Sequence, residues 1–160
     1  MYKRILVPLD GSDLAEGVLR HAAALARRFK SELVLLQVIQ PLSKVVAETV
    51  PAAMEPSGAA AVMSVRAAEE KYQRDREDAM AYLKTVKGRL RGIRASLEVI
   101  EGTPGEAIVT YARKCRADII AMSTHGRRGL ARLVYGSVAD HVLRHSTTPL
   151  LLVRVLKHEA

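Results

Sequence analysis

The sequence has no tryptophan, a single phenylalanine and a single cysteine, and aromatic residues make up 4% of its 160 positions. One cysteine, Cys115, excludes an internal disulfide and suits a reducing compartment. Cys115 lies in a helical pattern between Lys114 and Arg116, charges that would lower a thiol pKa. The simpler reading is a partly buried structural residue. So few aromatics leave little for a base-stacking surface of the kind that holds single strands. No apolar run approaches the roughly 18–20 residues needed to cross a bilayer. The opening Met1-Tyr2-Lys3-Arg4-Ile5 passes at once into a strand pattern, without the apolar stretch and small-residue cleavage site of a secretory signal. These absences predict a cytoplasmic protein with no membrane partner.

Several catalytic signatures are missing as well. There is no Gly-x4-Gly-Lys-Ser/Thr loop, which excludes a P-loop NTPase. No Gly-x-Gly-x-x-Gly follows the first strand, against the usual dinucleotide fingerprint. Neither a Gly-x-Ser-x-Gly elbow nor a His-Glu-x-x-His helix occurs. His141 and His145 stand four residues apart on one helix face, but no third metal ligand is evident beside them.

What is present supports one α/β domain over residues 1–160. A hydrophobic fraction of 49% is enough for a full core at this length. The net charge of +8 favours anions in general. The basic residues are spread over helical stretches such as Arg20–Lys30 and Lys84–Arg94 rather than gathered in one block, so charge permits nucleic-acid binding without supporting it.

Short apolar segments alternate with longer segments of helical period. Ile5-Leu6-Val7 opens the first strand, and Gly11-Ser12-Asp13 reads as a turn and helix start, with Asp13 and Glu16 spaced as a capping-box variant. Leu14, Val18, Ala22, Leu25 and Phe29 then mark one helix face. Glu32–Ile39 is an almost continuous apolar strand, as in sheets buried on both faces. Residues 41–65 break the pattern with Pro41, Pro51 and Pro56, and read as a long flexible connection holding at most a helical turn. A charged amphipathic helix follows from Val65 to about Gly92. Arg94–Ile100 alternates and so suits a sheet edge; Thr103-Pro104-Gly105-Glu106 is a strong helix start. Asp118–Met122 is a buried strand, Gly136–His145 a helix, and Pro149–Val155 a last apolar strand.

Five strands joined by helical crossovers imply a three-layer, doubly wound parallel sheet. With the third strand at an edge, the order is 3-2-1-4-5. The chain then reverses between strands one and four, where open α/β sheets hold ligands. Pro8-Leu9-Asp10 and Met122-Ser123-Thr124-His125-Gly126 leave those two strands. The segment Ser123–Ser137 has the composition of a phosphate cradle. Gly126, Gly129 and Gly136 let backbone N–H groups approach an anion, hydroxyls and arginines add donors, and the following helix adds its positive end.

This loop resembles the signature of the universal stress protein family, whose ATP-binding members carry Gly-x2-Gly-x9-Gly-Ser/Thr. Here Gly126, nine residues and Gly136-Ser137 match, while Ser123 replaces the first glycine. Ile5–Ser12 and Ser146–Val153 also match the family's opening and closing strands. The resemblance implies an ATP-binding regulatory or stress-response protein with little or no turnover. Pro8, Leu9, Asp10 and Val38 would then line the adenine and ribose side, and Met122 and Ser123 would lie under the ribose and first phosphate. Gly126, Gly136, Ser137 and Val138 would hold the phosphates, where magnesium can accompany them, with His125, Arg127 and Arg128 near enough in sequence to join. It further implies a homodimer through the last strand, Leu150–Val155, and an unknown protein partner. Ser123 keeps open a protein-interaction module of the same fold that holds no nucleotide. A ligase or transferase of similar architecture would need a converging catalytic Lys or Arg and a second substrate site, which the sequence does not display.

Overall fold

The computed structural model describes residues 2–49, 59–125 and 136–155. Five strands form a single parallel sheet: β1 (Arg4–Pro8), β2 (Glu32–Ile39), β3 (Ala95–Glu101), β4 (Ile119–His125) and β5 (Leu150–Val155), in the order β3-β2-β1-β4-β5. This is the predicted order, with the half-exposed alternating strand at one edge and the last strand at the other.

Strand alternation divides the core between two faces. Ile5, Val7, Leu33 and Leu35, all fully buried, point to one side. There they meet Val18, Ala22 and Ala26 of helix α2 (Leu19–Phe29) and its approach, and Tyr72, Leu83 and Val86 of helix α4 (Ala59–Arg89). Leu6, Val34, Leu36, Ile120 and Met122 point to the other side. They pack on Ile108, Val109 and Ala112 of helix α5 (Pro104–Lys114) and on Ala139 and Val142 of helix α6 (Ser137–His145). The result is a three-layer α/β sandwich. Among the described residues no helix is long and apolar enough to cross a membrane.

Three segments depart from the local expectations. Residues 41–65 contain helix α3 (Leu42–Thr49), and α4 begins at Ala59, six positions before Val65. Only residues 50–58 of that stretch lie outside the described residues. Pro41 starts α3 rather than breaking it: its carbonyl accepts from Lys44 N at 2.9 Å, and a proline at a helix start forfeits no hydrogen bond. The alanines at 59–61 are strong helix formers, which explains the earlier start of α4.

The first helix is also divided. A four-residue helix α1 (Asp13–Glu16) precedes α2, with Ser12, not Asp13, as its N-cap; Ser12 Oγ accepts from Ala15 N at 3.1 Å. Glu16 does not reach back to the cap and instead pairs with Arg89 of α4 at 2.8 Å. The bond to Arg89 holds the Glu16 carboxyl below its ordinary range. At Gly17 a Cβ would stand 2.4 Å from Val155 Cγ2, so the chain turns where β5 ends beneath it. Phe29, expected on the buried face, is instead 40% exposed and meets Tyr2 edge-on with ring centroids 5.3 Å apart.

The third correction concerns the fourth strand. It runs to His125, three residues past the expected Met122, because Ser123, Thr124 and His125 pair with Val153, Arg154 and Val155 of β5. Ser123 and Thr124 are thus strand residues with assigned faces.

Cys115 caps α5 at its C-terminal end and is half-buried. Burial raises its thiol pKa, outweighing the nearby Arg4 charge, so the flanking cations do not activate it. His141 and His145 stack on each other, centroids 4.1 Å apart, and His145 Nδ1 lies 2.8 Å from the His141 carbonyl oxygen.

Candidate functional site

A cleft of about 320 Å³ opens at the carboxyl ends of β1 and β4, where the sheet order reverses. That volume is at the lower end of the range for small-molecule sites, roughly 300–1,000 Å³. Its walls come from six elements. Pro8, Leu9 and Asp10 leave β1, and Leu36 and Val38 come from β2. Met122, Ser123 and Thr124 form the end of β4, Leu14 and Ala15 belong to α1, Pro104 and Ile108 to α5, and Gly136 through Ala139 to the start of α6.

Nine residues singled out from the sequence therefore line one cavity: Pro8, Leu9, Asp10, Val38, Met122, Ser123, Gly136, Ser137 and Val138. His125 ends β4, and its side chain lies outside the described residues, as do Gly126, Arg127 and Arg128. Leu14, Ala15, Leu36, Thr124, Pro104, Ile108 and Ala139 are additional lining residues. Thr124 is one of the hydroxyls that the segment Ser123–Ser137 offers an anion in the sequence reading. The others enter through packing, for which no local motif exists.

The two ends of the cleft differ in polarity. At the β1 end, Asp10 Oδ1 accepts from Ser12 N at 2.9 Å and from Ser12 Oγ at 2.6 Å, and Ser12 caps α1. The turn role of Asp10 is thus real, and it uses one carboxylate oxygen. The start of α1 is closed by these bonds. At the opposite side, α6 begins at Gly136 and α5 at Thr103, and neither has a side-chain cap bond. First-turn N–H groups of a helix have no intrahelical partner, and they carry the positive end of its dipole. Asp140, in the first turn of α6, is occupied by Arg144 at 2.8 Å. Between the ends the lining is apolar, from Leu36, Val38, Ile108, Met122 and Val138.

Ser123 faces α1: its Oγ donates a long 3.4 Å contact to the Ala15 carbonyl. Thr124, on the other side of β4, is 6% exposed, and its Oγ1 has no hydrogen-bond partner among the described residues. The arrangement can hold a flat apolar group between aliphatic walls, a polar edge at Asp10, and an anion toward the start of α6. Among the described residues no group of three or more His, Cys, Asp or Glu side chains is placed to hold a metal.

A second cavity, of about 390 Å³, lies on the α4 face at Gly11, Gln37, Gln40 and Tyr82, with Asp75 and Asp78 in its wall. Although larger, it places carboxylates where a phosphate would have to sit.

Comparison with known proteins agrees with this architecture. The model of the universal stress protein family matches residues 1–154. Universal stress protein MJ0531 of Methanocaldococcus jannaschii is 31% identical over 159 residues, covering 99% of this chain and 86% of its own. Universal stress protein MJ0577 of the same organism is 31% identical over 163 residues, 96% of each chain. The solved structure of MJ0577 superposes with a TM-score of 0.75, at 28% identity over 99% of both chains. A universal stress protein of Archaeoglobus fulgidus, solved in complex with dAMP, shares the fold at a TM-score of 0.59 and 18% identity, covering 94% of this chain and 97% of its own.

Proposed function

Because this chain belongs to the universal stress protein family, we propose that its cleft binds an adenine nucleotide, ATP in the first instance, and that binding rather than turnover is its function. The observation that carries this reading is the polarity of one cavity at the β1/β4 switch point. Asp10 stands at one end, the uncapped start of α6 at the other, and an aliphatic slot lies between them. The adenine would lie against Val38 and Pro8 with its polar edge at Asp10. The phosphates would run toward Gly136 and Ser137, whose backbone N–H groups would donate; from the sequence pattern, Gly126, His125, Arg127 and Arg128 are assigned to the same phosphates. Any magnesium would arrive with the phosphates. The dAMP complex of the A. fulgidus relative supports the adenine part of the reading.

Among the described residues of the cleft no side chain is held as a base against an attacking water, which supports the reading of binding with slow hydrolysis at most. The nucleotide instead acts as a regulatory ligand that changes the surface offered to a cytoplasmic protein partner. β5 is an apolar edge strand, and an edge of that kind calls for pairing, so a homodimer through Leu150–Val155 completes the proposal.

A second reading has one observation in its favour. Ser123 places a hydroxymethyl group on the α1 side of the cleft, where the resembled signature has glycine. A nucleotide-free interaction module would tolerate that group without cost. Calorimetry with added ATP separates the two: saturable binding supports the nucleotide site, and no heat at millimolar ATP leaves the interaction module. Gly136→Val should abolish binding while leaving the circular dichroism spectrum unchanged. A variant with full affinity would mean that the start of α6 does not hold phosphate.

A further inference from the structure

Thr124 stands out among the polar residues of the cleft. On β4, Ile120 and Met122 face the layer formed by α5 and α6, and Thr124, two residues on, shares their face. On that same face the cleft is lined by the aliphatic Leu36, Ile108, Val138 and Ala139. At 6% exposure its hydroxyl has no partner among the described residues. A buried hydroxyl left without a hydrogen bond destabilises the fold, and each such group in a folded protein calls for a reason. Ser123, by contrast, has an acceptor in Ala15 and lies on the opposite face.

We propose that Thr124 is a specificity residue of the nucleotide cleft, its hydroxyl donating to a phosphate oxygen held at the start of α6. The inference rests on the nucleotide reading above and deepens it: the site would require a phosphorylated ligand and discriminate against the bare nucleoside. The choice of phosphate over base or ribose follows from the position of Thr124. It faces the helices whose first turns are uncapped, whereas the capped α1 and the Asp10 carboxylate occupy the far end. One χ1 step exchanges the hydroxyl and methyl positions of a threonine, so a ligand can draw the hydroxyl toward itself without moving the strand.

The test compares wild type, Thr124→Val and Thr124→Ser by calorimetry against ATP, AMP and adenosine, together with the melting temperature of each protein without ligand. Thr124→Val should melt no lower than wild type, because it removes an unpaired polar group. It should bind ATP and AMP about tenfold more weakly or worse, the scale of one hydrogen bond to a charged group, and bind adenosine as wild type does. Thr124→Ser should restore both phosphate ligands. Unchanged affinity of Thr124→Val for ATP and AMP overturns the assignment, as does an equal loss for adenosine. A lowered melting temperature with unchanged affinity ratios also overturns it and makes the hydroxyl structural. If wild type binds none of the three ligands, the nucleotide reading itself falls and takes this inference with it.

Discussion

Gly17 offers a sharp test of how this fold is assembled. Its backbone, at φ −56° and ψ −22°, suits any residue, so an alanine there meets no conformational penalty. The obstacle is steric: an added Cβ would lie 2.4 Å from Val155 Cγ2 and 3.1 Å from the Leu14 carbonyl oxygen. Carbon atoms pack comfortably at about 3.5–4.0 Å, so α1 or the end of β5 must retreat by roughly an ångström. Overpacking of that degree costs about 1–3 kcal/mol, offset by about 0.4–1 kcal/mol from the reduced freedom of the unfolded chain. Gly17→Ala should therefore lose about 1–2 kcal/mol, a fall in Tm of about 3–6 °C for a chain of this size. Val155→Ala removes the clashing methyl. In that background only the tight approach to the Leu14 carbonyl remains, so the cost of Gly17→Ala should fall by about 1–2 kcal/mol, the coupling energy of the double-mutant cycle. Urea unfolding of the four proteins measures it. An equal penalty in both backgrounds would refute the contact with Val155 as the reason that position 17 excludes a side chain.

Two further predictions concern the cleft and the alkaline limit of stability. Ser123→Gly removes a hydroxyl held by one long contact, so it should cost under about 1 kcal/mol of stability; by clearing the α1 side of the cleft it should tighten ATP binding several-fold in calorimetry. Weaker binding would mean that the Ser123 hydroxyl itself serves the ligand. Tyr111 is pushed up to about 12, first by burial and then by Glu98. With its folded pKa above the unfolded value near 10, it contributes stability that is fully present below pH 10 and lost as pH rises toward 12. Tyr111→Phe should flatten that alkaline loss in pH-dependent unfolding; an unchanged slope would refute the assignment.

Much of the site was legible from local pattern. β2 is apolar at nearly every position because both its faces are covered, and Arg94–Ile100 alternates because it lies at an edge. Those two signals were enough to order the sheet and locate the switch point. Pro8-Leu9-Asp10 and Gly136-Ser137 then converged without knowledge of any distance between them. The helix at Leu42–Thr49 was missed because prolines were weighed as interruptions, whereas Pro41 sits at a helix start where its lost N–H is harmless. Ser123 and Thr124 read as loop because their small polar side chains carry no strand signal; pairing with Val153 and Arg154 makes them strand.

The sequence by itself determined the layers, the strand order and the crevice, because hydrophobic period and turn chemistry act within a few residues. The tertiary structure alone decided where the first helix divides, that Glu16 reaches Arg89, and that Ser123 and Thr124 face opposite sides of β4. Each of these depends on a contact between segments far apart in the chain. Gly17 carries no local sign that Val155 will lie against it, and Thr124 carries none that its hydroxyl will be buried without a partner among the described residues. Such contacts exist only once the sheet has closed, and they set the shape and polarity of the cleft.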